Sequence, residues 1–168
     1  YYRALADASK APVYLYDLPG LTGTKIEIPT MLELAGYPNI GGAKCSDSAD
    51  WTRQLVDEAP DSFRIFIAQP DLLDVLIRHG LGEHLDGIFG LAPRWSTTIT
   101  RSADGGDWPA AATCQHDLSV LRRLFGTYGG LPVMTAVLNA RGIPGRYHPR
   151  PYRDLTDERR EALLAEPV

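Results

Sequence analysis

Short apolar runs alternate along the chain with stretches of helical period. APVYLYDLP (11–19), NIGGAK (39–44), SFRIFIAQ (62–69) and LDGIFGL (85–91) are flanked by turn-forming residues, which predicts buried strands. Between them, PTMLELAGY (29–37), SADWTRQLVDEAP (48–60) and PDLLDVLIRHGLG (70–82) space their apolar residues as helices do. Pro29 and Pro70 stand in first-turn positions, where the missing N–H would have no helical partner anyway. Ser48 is a capping residue ahead of Trp51, Leu55 and Val56, and Pro60 is a stop. From residue 93 onward the pattern is helical alone, over 93–102, 107–126, 131–142 and 156–165. Gly105-Gly106, Gly129-Gly130 and Gly145 punctuate it. The opening stretch, YYRALADASK, is also helical, and its start on two tyrosines without a cap leads to the expectation that part of the fold lies upstream.

Strands alternating with helices of these lengths imply a parallel sheet with right-handed crossovers. A doubly wound sheet would offer a glycine-rich phosphate turn, and no G-x-G-x-x-G or P-loop occurs. A (β/α)8 barrel places its chemistry at the C-terminal ends of its strands and needs eight strands in about 250 residues. About four parallel strands are predicted here. The expected fold is therefore the C-terminal half of a (β/α)8 TIM barrel over residues 1–102, followed by a helical extension over 103–168.

Composition narrows the function classes. The chain of 168 residues is 44% apolar and 23% charged, with a net charge of −4, which suits a globular core and leaves no basic footprint for nucleic acid. No apolar run approaches the ~18 residues of a membrane span, and no signal peptide opens the sequence. Cys45 and Cys114 are far apart and lack metal-site partners, so reduced thiols and a cytoplasmic setting are expected. Cys45, although next to Lys44, reads as a small packing residue. His79, His84, His116 and His148 show no ligand spacing and read as surface or helix-end residues. Trp51, Trp95 and Trp108 read as helix-packing anchors.

One residue departs from this pattern. Lys44 ends the small-residue run of residues 39–43, and lysine is among the residues least often buried. A lysine at a strand end is ordinarily a solvated charge. Tyr16 lies 28 positions earlier, at the end of the preceding strand. Tyr16, Asp17, Leu18, Pro19, Gly20, Leu21, Thr22 and Gly23, followed by Gly42, Ala43 and Lys44, resemble the dihydrodipicolinate synthase and N-acetylneuraminate lyase family. That family carries Tyr-Asn-x-Pro-x-x-Thr/Ser-Gly on its fifth strand and Gly-x-Lys on its sixth. The resemblance covers nearly the whole chain. It implies a Schiff-base-forming lyase, an aldolase or dehydratase of class I type, with Lys44 as the Schiff-base residue and Tyr16 as proton shuttle. It also implies a homotetramer and no cofactor or metal. The chemistry suits these side chains: a primary amine attacks a ketone, loses water and leaves an imine that withdraws electrons from the neighbouring C–C bond. The amine must be neutral to attack, so its pKa of about 10.4 is expected to fall toward ~7–8.

Departures from the family pattern shape the expected substrate. The synthase branch has a carboxylate-binding arginine five residues after the tyrosine; here that position is Leu21, which cannot hold a carboxylate and resembles the sugar-acid lyase branch. Gln69 and Leu91 replace the glycine and serine contacts of that branch. Asp17 stands for the family asparagine, and Cys45 follows the lysine. Asp71 opens the helix after the third strand, as a helix-terminus charge or a substrate contact. Leu21, Gln69 and Asp71 are thus the candidate substrate-binding residues, and the expected substrate is a small-molecule 2-oxo acid such as a 2-keto-3-deoxy sugar acid, giving pyruvate by retro-aldol cleavage or a dehydrated product. The family's Gly-Gly-Thr/Ser-Thr/Ser-Gly-Glu carboxylate loop does not occur, so this stretch alone is expected to be inactive. Two other readings remain at this stage: dihydrodipicolinate synthase proper, and a non-catalytic, barrel-derived interaction or regulatory protein. No nucleic-acid or membrane partner is expected.

Overall fold

The structure is a computed structural model and describes residues 1–167. Two compact units divide the chain, residues 1–69 with 79–86 and residues 70–78 with 87 onward. In the first unit, α1 (Tyr2–Ala8) leads into β1 (Val13–Asp17), the four-residue α2 (Pro19–Thr22) and α3 (Ile28–Ala35). The chain continues through β2 (Ile40–Cys45), α4 (Ala49–Glu58) and β3 (Arg64–Ile67). The strands lie in the order β1-β2-β3, and both pairings are parallel. Ser48 precedes α4 as expected, although its hydroxyl makes no capping bond.

Alternation along the strands gives the sheet two unlike faces. Leu15, Ala43, Cys45, Ile65 and Ile67 point to one side and are buried, where most of them pack with Ile28, Met31 and Leu34 of α3 and with Leu55 of α4. Tyr14, Tyr16, Lys44 and Phe66 point to the other, which is only partly covered. Burial of a residue such as Met31 or Leu55, both fully inaccessible, contributes about 1.5–3 kcal/mol.

The fourth strand expected over 85–91 does not form. A single parallel bridge joins Ile67 to His84, held by Ile67 N–H donating to Glu83 O at 2.9 Å and Leu85 N–H donating to Ile67 O at 3.0 Å. The chain then coils into a 3-10 turn at Gly87–Gly90. Glycines at both ends of Ile88-Phe89 bring no side chain to a pleated surface, and Ile88 and Leu91 instead enter the core of the second unit.

That second unit is helical. A 3-10 turn at Pro70–Leu72 precedes α5 (Leu73–Arg78), so the helix expected over 70–82 is short and ends before Gly80, which has φ 80°. Next come α6 (Pro93–Asp104), α7 (Trp108–Tyr128), α8 (Leu131–Ala140) and α9 (Asp157–Leu164). The boundary expected between residues 102 and 103 falls inside α6. Asp107 caps α7 by accepting from Ala110 N–H at 3.1 Å, and Gly129 ends it in the left-handed region at φ 102°. Gln115, buried on α7, donates to Pro70 O at 2.8 Å and accepts from Asp74 N–H at 3.2 Å. Trp95 and Trp108 pack on the core that includes Ile99, Ala111 and Leu118, in the anchoring role expected of them.

His148 is not the surface residue its sequence context suggests: it is 4% exposed. Its Nδ1 lies 2.8 Å from Thr135 Oγ1, and its Nε2 lies 3.1 Å from Asp154 and 3.2 Å from Arg146 Nε. These contacts tie the segment after α8 back onto that helix. Among the described residues, no helix is long and apolar enough to cross a membrane.

Candidate active site

Parallel register sets the candidate site. Tyr16 on β1 is the direct partner of Lys44 on β2, and Lys44 in turn of Phe66 on β3. The Tyr16 and Lys44 side chains leave the same face of the sheet, near the C-terminal ends of their strands. Lys44 Nζ donates to the Tyr16 hydroxyl at 2.8 Å and lies 4.3 Å from the centre of its ring. Tyr16 is 48% exposed, so the pair is open to small molecules. An amine and a phenol at this distance can pass a proton directly between them.

The floor next to this pair is aromatic. Tyr14, two residues before Tyr16, packs its ring 5.8 Å from that of Phe66 and lies across the glycines of β2. A Cβ at Gly42 would come within 2.0 Å of Arg64 O and 2.8 Å of the Tyr14 ring, and one at Gly41 within 3.1 Å of that ring. The two glycines therefore make room for Tyr14. Sequence reasoning passed over Tyr14; aromatic residues at alternate positions 14, 16 and 66, opposite glycine on the middle strand, were the available signal.

On the opposite face, two of the departures from the family pattern, Asp17 and Cys45, are buried. The Asp17 side chain is fully buried, accepting from Ile26 N–H at 3.0 Å and pairing with Lys25. Lys25 Nζ also reaches Asp47 at 2.7 Å and sits 3.1 Å from the centre of the Trp51 ring. The bond from Lys25, then that from Ser48 N–H, holds the Asp47 carboxyl below the usual carboxylate range. Burial, and next the charge of Asp17, pushes the Cys45 thiol up to about 12. A thiol so placed is not a nucleophile at neutral pH, and Cys45 packs in the core.

The remaining candidates lie on three different segments. Leu21 lies in α2, directly after β1, and is 74% exposed. Gln69 is half-buried just past the end of β3. Asp71 belongs to the second unit, exposed in its 3-10 turn. Of the other lysines, Lys25 is held between two carboxylates, and Lys10 precedes β1, away from the strand end that carries Tyr16. Among the described residues, no group of three or more His, Cys, Asp or Glu side chains is arranged to hold a metal ion.

An amine and a phenol meeting at the C-terminal ends of parallel strands is the placement that (β/α)8 barrels use for their sites. The fold of this chain is shared with the 2-keto-3-deoxygluconate aldolase of Sulfolobus solfataricus, at a TM-score of 0.87 and 22% identity, over 98% of this chain and 55% of that one. The dihydrodipicolinate synthase of Aquifex aeolicus matches at a TM-score of 0.82 and 22% identity, over 97% of this chain and 56% of that one. The fold is thus the C-terminal half of such a barrel, with a helical extension. Residues 1–166 match the Dihydrodipicolinate synthetase family, and the chain belongs to that family. In sequence it is 32% identical to the 4-hydroxy-tetrahydrodipicolinate synthase of Streptococcus mutans serotype c, over 98% of this chain and 56% of that protein. The chain spans about half the length of the curated relatives it matches.

Proposed function

We propose that the intact protein is a lyase of the class I aldolase type that acts on a 2-oxo acid through a Schiff base on Lys44. The observation that carries this reading is the 2.8 Å contact between Lys44 Nζ and the Tyr16 hydroxyl at neighbouring strand ends. In its neutral form Lys44 adds to the C2 carbonyl, and Tyr16 supplies the proton with which the carbinolamine oxygen leaves as water. The Tyr16 phenolate left by that step then takes the proton of the C4 hydroxyl as the iminium accepts the electrons of the C3–C4 bond and an aldehyde departs. Protonation of the enamine at C3 and hydrolysis of the imine release pyruvate and restore the amine. In the dehydratase variant a proton leaves C3 and the C4 hydroxyl departs as water.

The substrate proposed is a 2-keto-3-deoxy sugar acid, with Leu21 and Gln69, both in the unit that carries Lys44, facing its distal carbons. The exposed leucine at residue 21 supports a substrate without a second carboxylate, since an aliphatic side chain offers such a group no donor. Dihydrodipicolinate synthase activity is the second reading, favoured by the name of the Streptococcus mutans relative. The working form proposed is a cytoplasmic homotetramer. The test is to incubate the full-length protein with 2-keto-3-deoxygluconate, and separately with pyruvate and aspartate semialdehyde, and to follow the products. Pyruvate release or dehydration in the first assay supports the main reading. Condensation in the second with none in the first supports the other, and inactivity in both overturns the enzymatic assignment.

A further inference from the structure

The cluster on the buried face has no part in the chemistry above, yet its members bracket the candidate site along the chain. Asp17 directly follows Tyr16 on β1. Asp47 lies three residues after Lys44, in the loop that leaves β2. Lys25 joins them: its ammonium pairs with both carboxylates and rests on the Trp51 ring. The backbone N–H of the next residue, Ile26, donates to the same buried Asp17 at 3.0 Å. Between Asp17 and Lys25 runs the excursion that holds α2 and Leu21. Its far end is therefore fastened to its own strand and to the loop of the neighbouring strand at one point.

We propose that Asp17, Lys25 and Asp47 are positioning residues, an ionic clamp that holds the segment 18–26, and with it Leu21, in one place beside the strand ends where Tyr16 and Lys44 meet. The inference rests on the reading of Lys44 as the Schiff-base residue. A carboxylate with no solvent contact is tolerated only when paired and hydrogen-bonded. Asp17 meets that condition only with Lys25 and Ile26 in position, so segment placement and charge burial require each other. An ammonium has three donors and no acceptor, and two carboxylates with an aromatic face occupy it fully. The clamp acts on the part of the substrate beyond the 2-oxo acid group, because the segment it fixes carries Leu21 while Lys44 sits on the strand.

The test uses the full-length protein with three variants. Asp17→Asn/Lys25→Met removes both charges and leaves no buried ion unpaired, Asp47→Asn removes the outer carboxylate, and Lys25→Arg keeps the charge. Two readouts are taken: amide hydrogen exchange over 18–26 and over β1 and β2, and borohydride trapping at Lys44 with pyruvate and with 2-keto-3-deoxygluconate. For the double variant, faster exchange confined to 18–26 is expected. Half-saturation of trapping should stay within about twofold for pyruvate and rise about tenfold or more for the sugar acid, up to the ~10²-fold that a 1 Å misplacement can cost. Asp47→Asn should shift both readouts in the same direction by less, and Lys25→Arg should return them toward wild type. Unchanged exchange over 18–26, faster exchange spread evenly over the strands, or equal loss for both ligands would overturn the clamp. A wild-type protein that traps neither ligand removes the Lys44 reading instead, and the exchange data alone then decide whether the clamp holds the segment.

Discussion

Lys44 and Tyr16 are register partners on adjacent parallel strands, and their Nζ and hydroxyl groups are 2.8 Å apart. Register is what makes this pairing robust: in a strand of period two, a slip of one residue would turn Lys44 into the core and expose Cys45. Leu15, Ala43 and Ile65, buried on the other face, hold that register, so the apolar face of the sheet aims the polar one.

Specificity is expected to turn on Leu21. Leu21→Arg would place a planar, bidentate donor pair on an exposed position of α2. In the intact protein the ratio of kcat/KM for carboxylate-bearing aldehydes over uncharged ones should rise, by about 10-fold or more, since a charged hydrogen-bonded pair discriminates better than an apolar wall. An unchanged ratio would show that residue 21 does not meet the substrate.

Gly42 is expected to tolerate no side chain. Its Cβ would come within 2.0 Å of the Arg64 carbonyl oxygen, a backbone atom that cannot turn aside. Gly42→Ala should lower stability by about 1–3 kcal/mol or more, the usual cost of overpacking. Gly20→Ala is the control, because a Cβ there meets nothing within 4 Å. Thermal melts of the two variants should diverge clearly; equal melting temperatures would contradict the close approach of β2 and β3.

His84 should make stability depend on pH. Burial holds its pKa below the ordinary imidazole value, with the bond to Leu81 O, 2.7 Å from Nε2, opposing the shift. Its Nδ1 is buried without a partner. In the unfolded chain the ring binds a proton from about pH 6.5 downward, while in the fold it resists until a lower pH. Below about 6.5 the unfolded state therefore holds more protons and stability declines as pH falls. Denaturant midpoints measured from pH 8 to 5 should drop, and His84→Leu should flatten the slope. Asp47 acts in a separate window: its lowered pKa means that its contribution is present above the unfolded carboxylate value and lost only as pH falls through the folded one.

Much of this was legible in the sequence, and the misses have physical causes. β1, β2 and β3 stand out because β-branched, aromatic and small apolar residues run unbroken between turns. LDGIFGL has a similar composition, but the chain keeps one bridge at His84 and then coils, with Ile88 and Leu91 buried in the core of the second unit. The pairing of Lys44 with Tyr16 follows from strand-end positions, which local pattern does reveal. The burial of His148 against Thr135, 13 residues away, depends on how α8 and the following segment pack, which no local window contains. Asp17 was visible as a departure from the family pattern. Its partner Lys25 stands eight residues further on in no recognisable pattern, because the excursion that brings them together is fixed by the fold.

The central claim is that Lys44 is the amine that forms the imine, with Tyr16 moving the proton. The most direct measurement is borohydride reduction of the full-length protein in the presence of pyruvate, followed by mass analysis of the intact chain and its peptides. One pyruvate per chain is predicted, on the peptide that contains Lys44. It should be absent in Lys44→Ala and form about 10²–10⁴-fold more slowly in Tyr16→Phe, the range that general acid–base help is worth. No adduct, or an adduct that persists in Lys44→Ala at Lys10 or Lys25, would contradict the account.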